Sequence, residues 1–158
     1  DREFTNFELS IEWKIVEGGN SGIFWSVIEG ENYSTPYQNG PEIQVLDNKR
    51  HPDSFVKMNY HQAGALYDMV QPSSDVCKPA GEWNHYLISI DYNSNKGSVV
   101  LNDVEIVTFP LSGPEWDALV ANSKFATWKD FAKLKTGKIG LQDHGDGVSY
   151  RNIKIREL

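Results

Sequence analysis

An all-β fold, an antiparallel β-sandwich, is what this chain of 158 residues predicts. Three observations lead there. About nine short segments carry the apolar–polar alternation of strands, and turn-forming Gly, Pro, Asn and Asp recur roughly every eight to twelve residues. Helical spacing is confined to one patch around residues 114–135.

In chain order, Phe7, Leu9, Ile11, Trp13 and Ile15 alternate with Glu8, Ser10, Glu12 and Lys14, a two-sided strand with one buried face. The run Gly18-Gly19-Asn20-Ser21-Gly22 breaks it, and Ile23 to Ile28 reads as the next strand. A polar loop from Gly30 to Gly40 delivers the chain into Pro41-Glu42-Ile43-Gln44-Val45-Leu46-Asp47-Asn48. Ile43 and Val45 are β-branched and alternate with Glu42 and Gln44, so this is a strand with turn residues at both ends. Residues 48–59 are irregular, and a short strand is expected after Gly64. Tyr86, Ile88, Ile90 and Tyr92 alternate with Leu87, Ser89 and Asp91. The Asn93-to-Gly97 hairpin turn follows, then returning strands over 98–101 and 104–109. Trp116, Leu119 and Val120, then Phe125, Trp128, Phe131 and Ala132, have helical spacing and predict one or two short helices over 114–135. Strands over 138–142 and 148–156 close the chain, with Ile153 and Ile155 expected to face inward. There is no linker, repeat or low-complexity tract, so 1–158 is read as one domain.

Composition narrows the function. The net charge of −7 and the absence of a basic run among the aromatics argue against nucleic-acid partners. No run of eighteen apolar residues is present, so no membrane-spanning segment is expected. The abrupt start at Asp1 suggests a mature or trimmed product. Cys77 is alone, which leaves neither an internal disulfide nor a thiolate metal site, and the ordinary reading is a small buried apolar residue. There is no phosphate-binding Gly loop, Gly-x-Ser-x-Gly elbow or His-Glu-x-x-His.

The Glu42 strand draws the functional reading. Alternation sends Ile43 and Val45 to a core and projects Glu42 and Gln44 together from the other face, roughly 7 Å apart, enough to hold one sugar ring. Asp47 joins that face only if a bulge shifts the register by one. An ordinary half-exposed strand is the alternative.

Several stretches then accumulate into a resemblance: Asn20-Ser21-Gly22-Ile23-Phe24, Pro41 to Asp47, Ala63-Gly64-Ala65-Leu66-Tyr67-Asp68, Gly81-Glu82-Trp83-Asn84, Gly137 to Gly145, and Tyr150-Arg151-Asn152-Ile153-Lys154-Ile155. In this order they resemble the 3-keto-disaccharide hydrolase family, over essentially the whole chain. The resemblance implies a concanavalin A-like jelly-roll sandwich, bacterial origin and a secreted or periplasmic carbohydrate enzyme acting on a 3-keto-glycoside. The pattern departs from the family in places. Members usually begin with further strands before the position of Asp1, whose absence would leave a sheet edge unpaired. An Arg commonly follows the Asn-Ser-Gly-Ile-Phe segment, where this chain has Trp25-Ser26. The His that often precedes the Asn-Gly hairpin gives way to Val99-Val100-Leu101-Asn102-Asp103.

The chemistry has its own logic. A ketone at C3 of a sugar acidifies the C2 proton, and the glycosidic oxygen at C1 is then β to that ketone. A base at C2 expels the aglycone by elimination, and water adds back for net hydrolysis. Such a site needs a base, an acid for the leaving oxygen and a donor for the enolate oxygen. It does not need the carboxylate pair of ordinary glycosidases. The strand is similar in outline to the Glu-x-Asp-x-Glu strand of laminarinase-like enzymes, but Gln44 replaces the middle acid, which disfavours ordinary retaining hydrolysis.

Glu42 and His144 are the candidates for base and acid, and Arg151 for the enolate oxygen. Asn20, Gln44 and Gln142 are candidate hydroxyl binders, Tyr67 and Trp25 candidate ring-stacking groups, and His61 and Asp47 further substrate contacts; His51 and His85 read as structural or solvated. A divalent metal would suit the chemistry, with Glu42, Asp47 and His144 as possible ligands at no diagnostic spacing. A lectin-like binding module and an ordinary endo-glucanase are the alternatives.

Overall fold

The nine residues of β1 (Phe7–Ile15) alternate as read, Phe7, Leu9, Ile11, Trp13 and Ile15 being buried and the four between them half-buried. In the computed structural model, which describes residues 2–158, this strand lies inside a five-stranded sheet. It pairs on one side with β4 (Asn84–Asp91) and on the other with β8 (Val148–Glu157). The order is β6-β5-β4-β1-β8, with β5 at Lys96–Leu101 and β6 at Val104–Phe109. A second sheet of three strands, β3-β2-β7, comprises β2 (Asn20–Val27), β3 (Glu42–Leu46) and β7 (Lys138–Leu141). All the pairings are antiparallel, as in a jelly-roll sandwich.

The core fills the space between the sheets. Trp13 and Tyr86 meet at 5.3 Å, and Trp25 of the small sheet stacks on Phe109 of the large one at 5.9 Å. Two polar ties cross this layer. The Tyr86 hydroxyl donates to the Gln44 carbonyl at 2.8 Å, and Ser21 and Tyr150 share a hydroxyl–hydroxyl bond at 2.8 Å. Both satisfy groups that burial would otherwise leave unpaired.

Every residue of β2 and β3 is buried, not only the core-facing ones. The outward side chains of Asn20, Glu42 and Gln44 share a recess with Tyr67 and with Lys124, Phe125 and Trp128, which screen that part of the outer face of the small sheet. That cover turns an ordinary wet face into a cleft floor.

The structure differs from the sequence reading in two places, after Gly64 and along the last strand. The strand expected after Gly64 is a short edge contact. Gly64 N–H donates to Gln44, Ala65 accepts from Gln44, and Tyr67 N–H donates to Glu42, before positive φ at Gly64 (86°) and Asp68 (61°) ends the pairing. The expected helical patch over 114–135 holds one α-helix, α1 (Pro114–Ala121), while Phe125 and Phe131 satisfy their spacing through turns, their rings stacked at 3.9 Å. Ile153 and Ile155 are 54% and 37% exposed. β8 is an edge strand paired only to β1 among the described residues, and a register shift opposite Ser10–Glu12, with Asn152 at φ 52°, gives it one extra residue there. The lone Cys77 is half-buried, and burial pushes its thiol up to about 12, so it is an inert packing residue.

Replacing Tyr86 by Phe removes the cross-core bond but leaves the Gln44 carbonyl its Gly64 partner. Urea unfolding is expected to show a loss of about 1 kcal/mol with an unchanged m-value.

Candidate active site

On the outer face of the small sheet, the two strand parities separate cleanly. Ser21, Ile23 and Trp25 of β2 and Ile43 and Val45 of β3 turn to the core, whereas Asn20, Gly22, Glu42 and Gln44 turn outward. Asn20, Glu42 and Gln44 floor a cleft of about 420 Å³, joined there by Gln142 just beyond β7. Its walls are Tyr67 and the Lys124-Phe125 and Trp128 stretch, with Tyr37 and His144 at the rim. This volume suits a sugar of one or two rings.

Glu42 is the most buried ionisable group among the described residues lining the cleft. It is 8% exposed, and no described residue hydrogen-bonds its carboxyl. Burial pushes the carboxyl up from 4.5 to about 8; Lys124 pulls it down and Asp53 pushes it further up. At neutral pH the protonated form is therefore favoured. Gly22 makes this position possible. A Cβ there would lie 1.9 Å from Glu42 Oε1, so only a glycine leaves room for the acid on the neighbouring strand.

The amides around it are held or unpaired in a telling way. Gln44 is 1% exposed, and its Oε1 accepts from the Val45 N–H at 3.2 Å, which leaves its NH₂ free to donate into the cleft. Asn20 Oδ1 and Gln142 Oε1 are buried acceptors with no partner among the described residues. Buried amide oxygens without partners cost free energy unless a ligand or water supplies a donor, and sugar hydroxyls are such donors.

Tyr67 forms one wall through a second network. Its hydroxyl donates to Asp53 at 2.9 Å, its ring stacks on His61 at 4.3 Å, and burial and the Asp53 bond raise its pKa. His61 lies between Asp53 and Asp68, at 2.9 and 2.8 Å. Asp68 accepts in turn from the Lys124 N–H at 2.6 Å and pairs with Lys57 at 3.1 Å. Burial works to raise the Asp68 carboxyl, but the donors from His61, Lys124 and Lys57 outweigh it and hold the group below its usual range. The wall segment at 124–128 is thereby pinned to the loop that carries Tyr67.

His144 sits in the turn that follows β7. Asp143 accepts from Gly145 N–H, and Asp146 accepts from the Asn20 N–H at 3.1 Å, tying that turn to the start of β2. Its imidazole is half-exposed at the rim, 3.9 Å from Asp146 and edge-on to His51 at 6.4 Å.

Of the residues singled out in the sequence, Glu42, His144, Asn20, Gln44, Tyr67 and Gln142 line this one cleft. Four do not. Trp25 shares the parity of Ile23 and points into the core. Asp47 stays off the floor because β3 carries no bulge. Burial would raise its carboxyl, but the Gly18 and Lys49 N–H groups and Arg50 hold it below the usual range in a structural turn. His61 lies behind Tyr67 rather than in the cleft. Arg151 is on the outer face of the large sheet, donating to Glu12 at 2.6 Å and covering Trp83 at 3.9 Å. The proposed trio of metal ligands, Glu42, Asp47 and His144, does not converge, and among the described residues no group of three or more His, Cys, Asp or Glu side chains does. Tyr37, Lys124, Phe125 and Trp128 belong to the cleft and were not identified as site residues from the sequence. Only the aromatic clustering of Phe125 and Trp128 hinted at them.

Comparison with known proteins gives a consistent picture. The 3-keto-alpha-glucoside-1,2-lyase-like domain matches residues 1–156. A 3-keto-disaccharide hydrolase of Bacteroides thetaiotaomicron is 40% identical over 177 residues, covering 99% of this chain; the chain spans 60% of that relative's length. The crystal structure of a candidate glycosyl hydrolase from Parabacteroides distasonis superposes with a TM-score of 0.91 at 29% identity, covering 99% of this chain and 74% of that one. A carbohydrate-binding module from Bacillus subtilis shares the fold at a TM-score of 0.60 and 10% identity, over 99% of this chain and 78% of that one.

The raised Glu42 carboxyl has a consequence for stability. The folded protein holds a proton that the unfolded chain releases near pH 4.5, so folding stability falls as pH rises from there through about 8 and then levels off. Glu42→Gln has no such dependence. Its melting temperature is expected to match the parent near pH 4 and to exceed it increasingly up to pH 8.5, by at most a few kcal/mol of stability.

Proposed function

The chain belongs to the 3-keto-alpha-glucoside-1,2-lyase-like family, and from that premise we propose that it cleaves 3-keto-glycosides by taking the proton at C2 and expelling the glycosidic oxygen. One observation carries the reading. Among the described residues Glu42 is the only Asp or Glu lining the cleft, it is desolvated, and it is surrounded by amides suited to hydroxyl groups. A single strengthened base is what enolisation requires, and the paired carboxylates of an ordinary glycosidase are not in the cleft.

The steps follow from where the groups stand. The ionised Glu42 takes the C2 proton, and the C–H electrons form the C2–C3 double bond as the ketone becomes an enolate. Return of those electrons breaks the C1–O bond. The departing oxygen takes a proton from His144 at the rim or from the newly protonated Glu42. The product is an unsaturated 3-keto sugar, and addition of water across its double bond completes hydrolysis. Removing Glu42 from water raises its basicity and so brings it closer to a C–H acid. Gln44 donates, and Asn20 and Gln142 accept, to orient the ring hydroxyls, while Tyr67 and Trp128 supply apolar faces.

A panel of 3-keto-glucosides and their unoxidised parents, read by product mass, tests the class of reaction. Turnover of the keto sugars alone is expected; cleavage of the parents would mark an ordinary glucanase, and binding without turnover a lectin-like module. Glu42→Gln is expected to lose 10²–10⁴-fold in kcat. The kcat/KM of the parent enzyme is expected to climb with pH up to about 8, as the base ionises, whereas a falling limb there would reassign Glu42 as the acid. Gly22→Ala is expected to displace Glu42 and cost about 10²-fold in kcat/KM.

A further inference from the structure

The reaction needs a donor for the enolate oxygen, and with Arg151 on the far sheet the cleft must supply it from elsewhere. We infer that Lys124 is the group that recognises the keto oxygen of the substrate and receives its charge as the enolate forms, an assignment that rests on the reading of Glu42 as base.

Four observations converge on this side chain. Among the described residues it is the only Lys or Arg lining the cleft. Its Nζ lies 4.3 Å from the centre of the Tyr67 ring and 5.3 Å from that of Phe125. It has no carboxylate partner within 4.0 Å and no hydrogen bond among the described residues, unlike Lys57, Lys96 and Lys138, which are all paired with acids. Finally, its field reaches Glu42, where it is the largest influence favouring the ionised form. A cation with unspent donors, held over aromatic faces and electrostatically coupled to the candidate base, is placed to stabilise an anion that forms between the two.

Its chemistry also explains a preference for the ketone. An ammonium group only donates. A C3 ketone only accepts, so the pair is complementary, and the interaction strengthens as negative charge moves onto the oxygen. A C3 hydroxyl meets the same ammonium with one acceptor site but leaves its own proton without a partner there. The position is built rather than incidental. The Lys124 backbone N–H is fixed by Asp68, which His61 and Lys57 hold, and the aromatic wall confines the stem. Because the loop is anchored through the backbone, substitution of the exposed side chain leaves the wall in place.

The test follows the C2–H signal of methyl 3-keto-α-glucoside in D₂O by NMR, with parent enzyme, Lys124→Met and Lys124→Gln. The parent enzyme is expected to accelerate loss of that signal over buffer, and each variant to be at least about 10²-fold slower. Binding of the keto sugar and of unoxidised methyl α-glucoside is measured alongside. The variants are expected to lose most of the preference for the ketone, binding of the keto sugar weakening far more than that of the unoxidised glucoside; a wall that had merely come loose would weaken both alike. Variants within threefold of the parent rate, or with an intact ketone preference, overturn the role of Lys124 and leave Glu42 as base. A parent enzyme that does not accelerate loss of the C2–H signal overturns the Glu42 reading itself.

Discussion

The structure depends on one constraint: a carboxyl group must sit on the floor of a cleft, largely withdrawn from water, with no hydrogen bond from the described residues to hold it. A buried unpaired carboxylate is among the costlier things a fold can contain. The protein meets that cost by letting Glu42 stay protonated through neutrality, and by placing Gly22 opposite so that the acid fits without distorting the sheet. A group that served only structure would be cheaper as Gln, since it makes no bond that needs an acid. An acid at this position makes sense where a proton has to move.

The same strands build the core and the cleft. β3 gives Ile43 and Val45 to the interior and Glu42 and Gln44 to the floor, and Tyr86 reaches across the core to grip the Gln44 carbonyl. The floor is therefore rigid because the sandwich is rigid. The walls are different in kind. They are loops, held by the Asp53–His61–Asp68 chain of hydrogen bonds and by aromatic stacking from Phe125 to Phe131. Rigid acid and amides beneath, and an adjustable aromatic and cationic wall above, is an arrangement suited to a ring whose charge changes during reaction.

How much of this was legible in the sequence follows from periodicity. β1, β4 and β6 were found nearly to the residue because alternation is a local signal, and Glu42 and Gln44 were found for the same reason. That logic also held the corrections. Trp25 has the parity of Ile23, so the rule that puts Asn20 in the cleft puts Trp25 in the core. Asp47 has the parity of Val45 and needed a bulge that does not exist. Arg151 lies opposite Glu12, on the polar face of β1, and so outside. His61 and Lys124 were beyond such reasoning. Both belong to irregular segments: His61 is set by Asp53 and Asp68 within its own loop, and Lys124 by a contact with Asp68, some sixty residues away in the chain. No spacing within either segment encodes that meeting.

The most direct measurement is the titration of Glu42 itself, by carbon NMR of the protein labelled at its glutamate carboxyls, with Glu42→Gln to assign the signal. A single glutamate that titrates near 8 and disappears in the variant is the predicted result. A Glu42 signal that titrates near 4.5, with the other glutamates, would contradict the account, because the acid would then be solvated and the cleft would lack its strengthened base.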